Sequence, residues 1–163
     1  MIMKYLIGDS EKEALRYITQ AIQIALSSTC QRARCGSVIV VDNKIIGSGF
    51  NSPAQNKEEQ RRCSFAKDSY HKKVTDKTCC VHAEQRAIMD ALRSNPDLIA
   101  GSRLYFIRLQ ENGEPAYSGK PYCTICSKMA LDVGIKEFVL WHEQGIGVYD
   151  SAEYNTLSFQ YTE

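Results

Sequence analysis

No run in this 163-residue chain approaches the roughly 20 consecutive apolar residues that cross a bilayer, which excludes a helical membrane span. A basic excess is missing too. Twenty Lys and Arg against 19 Asp and Glu leave a net charge of +1. Proteins whose main partner is a long polyanion carry a clear cationic surplus, so a polynucleotide partner is disfavoured. A small anion stays open, because it needs only one or two placed cations. The opening Met1 to Ile7 is mildly apolar but short, and Asp9, Glu11 and Glu13 follow at once, unlike a secretory signal. An even cysteine complement is also lacking. The seven are Cys30, Cys35, Cys63, Cys79, Cys80, Cys123 and Cys126. With no secretory start, they read as thiols or metal ligands of a cytoplasmic protein rather than a disulfide framework.

What is there is ordinary globular composition, 44% hydrophobic and 24% charged, in a length that fits a single domain over 1–163. Ser10 and Glu13 form a capping-box pattern. Ala14, Leu15, Ile18, Ala21, Ile22, Ala25 and Leu26 then recur at helical spacing, predicting a helix over about 10–27. Val38 to Val41 and Lys44 to Phe50 read as a hairpin around Asp42-Asn43. Gly47 and Gly49 mark a bulge or a close backbone approach. Residues 54–80 are polar and irregular, with room for a short helix over 64–73. Further on come a helix over about 82–94, a strand over 104–109 and a loop over 110–120. A helix opening at Cys123 stops at Gly134, and a strand covers Glu137 to Trp141. Asp150-Ser151-Ala152-Glu153 is a second capping pattern, for a short last helix. Leu157, Phe159 and Tyr161 alternate like an edge strand or packed tail. Helices alternating with strands in the second half require parallel neighbours, whereas the hairpin is antiparallel. The expected fold is a three-layer α/β/α sandwich on a mixed five-stranded sheet.

The chemistry concentrates in His82-Ala83-Glu84 and Cys123-Thr124-Ile125-Cys126. Zinc favours N and S donors, and catalytic zinc sites use three protein ligands plus one open position. Cys123 and Cys126 at a helix start place both sulfurs on one side of the first turn, where free N–H groups favour thiolate. His82 opens its own helix. Glu84, two residues on, is set off the metal and suits a proton shuttle beside the water that the metal activates. The His-x-Glu and Cys-x-x-Cys combination is the signature of zinc nucleobase deaminases.

These motifs resemble the cytidine/deoxycytidylate deaminase superfamily. The hairpin from Cys30 to Pro53, ending Gly49-Phe50-Asn51-Ser52-Pro53, is similar to that of its dCMP branch. So is Gly134-Ile135-Lys136-Glu137-Phe138-Val139 after the second cysteine pair. The resemblance implies an enzyme, a hydrolase that removes an amino group from a cytosine-type nucleotide or nucleoside and releases ammonia. His82, Cys123 and Cys126 would hold Zn2+ and Glu84 would be the acid/base. Asn51 would bind the sugar, with a turn-forming role as its alternative, and Ala83 would offer its backbone to the base. A homo-oligomer is also implied. One departure stands out: the family has Pro directly before the first Cys, whereas here Tyr122 separates Pro121 from Cys123.

Some dCMP deaminases carry a structural zinc, and Cys30, Cys63 and His71 fall at matching places. Cys79 or Cys80 would complete four ligands, and buried thiols without metal are the competing reading. Two other functions fit the same motifs: a deaminase of guanine, cytidine or tRNA adenosine, and a non-catalytic zinc-stabilised binding protein. Glu84 counts against the latter, because a purely structural metal has no use for it.

Overall fold

The computed structural model describes residues 2–163. A short β1 (Lys4–Tyr5) leads into α1 (Gly8–Ala25). The helix starts two residues before Ser10. Ser10 therefore lies inside the first turn, its hydroxyl donating to Ile7 O at 2.8 Å, and the Ser10–Glu13 capping box does not form. β2 (Cys35–Val41) and β3 (Lys44–Phe50) are the expected hairpin. Asp42 and Asn43 both take positive φ, 47° and 60°, as the two-residue turn that suits strand twist requires.

β4 (Ser52–Pro53) pairs with β5 (Cys80–Val81), so the ends of the intervening segment are clipped together. Between them lie only single 3-10 turns at Ala54–Asn56, Glu58–Gln60 and Lys67–Ser69. The helix expected over 64–73 is absent. None of its residues is buried, and an isolated helix of that length lacks the packed face it needs to persist in water.

Then follow α2 (Ala83–Ser94), β6 (Arg103–Leu109), β7 (Pro115–Ala116), α3 (Thr124–Asp132), β8 (Glu137–His142), β9 (Gly145–Asp150) and α4 (Ser151–Phe159). Among the described residues the main sheet runs β1-β9-β8-β6-β2-β3, with β7 added on β6. Only β6 and β8 are parallel, joined by the crossover through α3. Five strands are long; β1 and β7, two residues each, raise the total to seven.

The fifth long strand is β9, not residues 157–161. Leu157 and Phe159 are helical, because Asp150 caps α4 by accepting from the N–H of Ala152 (3.0 Å) and Glu153 (3.4 Å). Ile146 and Val148 bury on the face opposite Tyr149, a strand pattern too brief to stand out beside that cap.

Strand alternation builds the layers. Val38, Val40, Tyr105, Ile107 and Val139 meet Ala14, Ile18 and Ala21 of α1 on one face. Ile39, Leu104, Phe138 and Leu140 meet Ala87, Ile88 and Ala91 of α2, with α3 and α4, on the other.

α2 lies almost on the backbone of β3. A Cβ on Gly49 would sit 2.5 Å from Arg86 Cβ and 2.6 Å from Ala83 O; one on Gly47 would sit 2.5 Å from Ala87 O. The β2–β3 register also slips by one residue here, between Ile39–Gly47 and Val40–Ile45. Both sequence readings of this pair of glycines, bulge and close approach, therefore apply. Gly49→Ala is expected to lower unfolding stability by about 1–3 kcal/mol through overpacking, measured by urea denaturation. An unchanged midpoint would mean that α2 can retreat from the sheet without loss.

Candidate metal centre and its cavity

His82 is the residue before α2, and its N–H donates to Gln85 Oε1 at 3.0 Å, closing the helix start. Cys123 holds the same position before α3, and Cys126 lies one turn in. The two helix starts meet. His82 Nδ1 is 3.3 Å from Cys123 Sγ and 3.2 Å from Cys126 Sγ, and the three donor atoms all lie within 4.8 Å of one another. A tetrahedral zinc with bonds of 2.0–2.3 Å holds such donors roughly 3.5 Å apart, so the set fits that ion.

The electrostatics fit as well. Hydrogen bonding to Cys126 first, and to His82 next, outweighs burial and lowers the Cys123 thiol to about 4. Its neighbour goes the other way: the Cys123 contact and then burial hold the Cys126 thiol well above its ordinary range. Two adjacent thiolates are thus opposed unless a cation sits between them. The Cys123 contact also raises the His82 imidazole to about 9, against its burial.

The far side of the imidazole is also held. His82 Nε2 is 3.4 Å from Thr78 Oγ1, and that hydroxyl donates to Asp76 Oδ1 at 2.6 Å. An N–H on Nε2 leaves the Nδ1 lone pair free for a metal. The sequence carried no visible sign of this pair, since Asp76 and Thr78 sit in the irregular segment.

Glu84 is 7% exposed and outside the mutually close donor set. Burial, then the neighbouring Cys123, raises its carboxyl above the usual range. It lines a cavity of about 330 Å³ that also reaches His82, Ala83, Asn51 and Cys123. Among the described residues lining it, Glu84 is the only carboxylate. Six cations, Arg32, Arg62, Lys67, Lys77, Arg108 and Lys120, line it as well.

Asn51 borders the cavity, but much of its amide is already engaged. Oδ1 accepts from the Cys35 N–H at 2.8 Å and lies 2.6 Å from Ser28 Oγ, while Nδ2 donates to Ala33 O at 2.8 Å. These bonds tie the loop before β2 to the end of β3. Arg86 fixes the same strand end, donating to Phe50 O (2.9 Å), Pro53 O (2.8 Å) and Ser52 Oγ. Tyr154 of α4 also lines the cavity, with no local signal in the sequence to mark it. It is buried and stacks on Phe138, with ring centroids 3.9 Å apart.

A second thiol group lies along the same cavity. The Sγ atoms of Cys63, Cys79 and Cys80 lie within 4.8 Å of one another, Cys63 and Cys79 at 3.3 Å. Burial, then a hydrogen bond with Cys30, raises the Cys80 thiol, so Cys30 reaches Cys80 while lying outside the mutually close set of three. His71 is not brought into it. Its ring is exposed and Nδ1 accepts from the Lys73 N–H at 3.1 Å. The reason is local: residues 71–73 form their own turn on the surface.

An α/β/α sandwich with one imidazole and two thiols converging from two helix starts defines a protein with a three-donor metal site. Residues 11–142 match the family described as the cytidine and deoxycytidylate deaminase zinc-binding region. The chain belongs to that family, whose metal is zinc. A deoxycytidylate deaminase of Schizosaccharomyces pombe is 28% identical over 128 residues, 76% of this chain and 35% of that protein. The chain thus spans about a third of the length of that curated relative. Two solved structures share the fold. The dCMP deaminase of cyanophage S-TIM5 in complex with dCMP and dUMP has a TM-score of 0.54, with 24% identity and 82% of each chain covered. A cytidine deaminase of Burkholderia pseudomallei has a TM-score of 0.57, with 16% identity and 86% and 94% covered.

Thr78→Val removes the hydroxyl that faces His82 Nε2. The expected result is zinc held about tenfold more weakly in competition with a chromogenic chelator, with the fold unchanged by circular dichroism. Equal retention would show that Thr78 does not orient the imidazole.

Proposed function

We propose that residues 1–163 act as one domain, a hydrolytic deaminase of a cytosine-type nucleotide, dCMP or a relative, that releases ammonia. The observation that carries this reading is the cavity itself. It joins a His-Cys-Cys donor set and one buried carboxyl to a rim of six cations. A chain of net charge +1 that gathers six cations along one cavity is suited to an anionic ligand. This favours a phosphorylated substrate over a free base or nucleoside.

His82, Cys123 and Cys126 would hold the zinc. Bound there, it supplies Lewis acidity that brings the pKa of water towards neutrality. Glu84 takes one proton of the attacking water at its carboxylate and delivers it to the ring nitrogen, then takes the second from the new hydroxyl and delivers it to the departing amine. Its raised pKa suits a group that must both accept and return that proton. The C–N bond breaks as the new C–O bond is kept, so the products are the uracil-type base and ammonia. Ala83, at the cavity wall, offers backbone to the base, and Asn51 has one Nδ2 hydrogen left for the sugar.

Glu84→Gln is expected to keep its zinc and its melting temperature while ammonia release from dCMP falls roughly 10²–10⁴-fold. Retained turnover would remove Glu84 from the mechanism. In the same assay dCMP should outcompete deoxycytidine and cytosine, and its KM should rise with salt. Guanine turned over instead would end the nucleotide reading.

A second, structural zinc on Cys63, Cys79 and Cys80, with Cys30 as the fourth donor, is part of the proposal. It would fasten the segment between β4 and β5, which has no buried face of its own. Metal analysis should then give two zincs per chain, falling to one in Cys63→Ser. One or fewer in the unmodified protein would leave these thiols without a metal role.

A further inference from the structure

Tyr122, the residue inserted between Pro121 and Cys123, is the anomaly of the site. Pro121 is buried and Cys123 is a zinc ligand candidate, so the backbone on either side of Tyr122 is fixed. The side chain is 58% exposed, yet it borders the cavity that holds Glu84 and Cys123. A large aromatic ring left half open inside a substrate-sized cavity has apolar surface that a base or sugar would cover.

That ring also has an aromatic neighbour. Tyr161, just beyond α4, packs on Tyr122 with ring centroids 5.8 Å apart at 57°. The next residue binds the same stretch a second time: Lys120 Nζ donates to Thr162 O at 3.3 Å. Lys120 is itself one of the cavity cations. Two consecutive residues, 161 and 162, therefore hold both cavity-facing side chains that flank Pro121. The segment carrying them is anchored, because α4 is bound to α3 through Ser127 Oγ, which donates to Asn155 Oδ1 at 2.7 Å, and to β8 through the Tyr154–Phe138 stack.

From this geometry we infer that Tyr122 is a specificity-determining residue and that Tyr161 is its positioning residue. Tyr122 presents one ring face to the bound nucleotide. Tyr161 backs the ring, so its freedom is lost on folding rather than on binding. The inference rests on the deaminase reading for the identity of the ligand but not for the contact between the two rings.

Steady-state kinetics and binding test it together, with dCMP as the probe. Tyr122→Ala is expected to raise KM for dCMP about tenfold, with kcat within about twofold. Tyr161→Ala should raise KM about three- to tenfold, again sparing kcat, and Tyr161→Phe should restore it. The double variant should be no worse than Tyr122→Ala, because Tyr161 acts only through Tyr122. Calorimetric titration of dCMP into the Glu84→Gln protein, with and without Tyr161→Ala, gives the same comparison without turnover. An unchanged KM and Kd in Tyr161→Ala, or full additivity in the double variant, overturns the inference. Absence of dCMP binding to Glu84→Gln overturns it together with the nucleotide reading. Weaker dCMP binding in Tyr161→Ala, in a protein that deaminates no cytosine compound, supports the inference and ends the deaminase reading alone.

Discussion

Backbone-to-backbone packing between α2 and β3 sets where the chemistry stands. With glycine at 47 and 49 the helix comes within van der Waals reach of the strand, and Ala87 and Ala91 keep the gap closed. His82 and Glu84 sit at the sheet-side start of that helix, so their positions follow from the same contact. The second half of the site is delivered by the only parallel pair among the described strands, β6 and β8. The crossover between them must pass over one face, which puts the start of α3, with Cys123 and Cys126, opposite His82. Two rigid helix starts thus approach one point from different parts of the chain, and no loop flexibility has to be overcome to bring three donors together.

The electrostatics of that point are divided between a buried interior and a charged rim. Inside, one thiol is driven down and its neighbour up, and a desolvated carboxyl stands beside them. A dipositive ion relieves this arrangement, because it pairs with both sulfurs at once. Outside, three of the six lining cations, Arg62, Lys67 and Lys77, come from the irregular segment between β4 and β5. That segment has no hydrophobic reason to be ordered. Its order comes from its ends, through the β4–β5 pairing and the thiol group at Cys63, Cys79 and Cys80. The buried polar ties at Asn51 and Arg86 work in the same direction, since they fix the strand end from which the segment departs. The segment also supplies Asp76 and Thr78, which face the back of the His82 ring.

Much of this was readable from residue order. His-x-Glu and Cys-x-x-Cys are local patterns with fixed chemistry, and both fell at helix starts as their spacing implied. The hairpin was legible because Asp42-Asn43 and the flanking β-branched runs act over a few residues. The misreadings had physical causes. Ser10 and Glu13 matched a capping pattern, but the chain had already turned into the helix at Gly8. The 64–73 stretch had helix-compatible residues but nothing to pack against. β9 was overlooked because it is a two-sided buried strand of mixed small and aromatic residues, without the clean alternation of an edge strand.

The sequence by itself determined the donor types, the carboxyl that accompanies them and the helices that present them, because each depends on contacts within about one turn. The tertiary structure alone decided the rest. It selected Cys63, Cys79 and Cys80 over His71 as a thiol group, brought six cations from distant positions to the cavity that Glu84 lines, and set Tyr161 against Tyr122. Those juxtapositions join residues up to tens of positions apart through the sheet order and the packing of α4 on α3. Distances of that kind are fixed by closure of the whole fold, and no local spacing carries them.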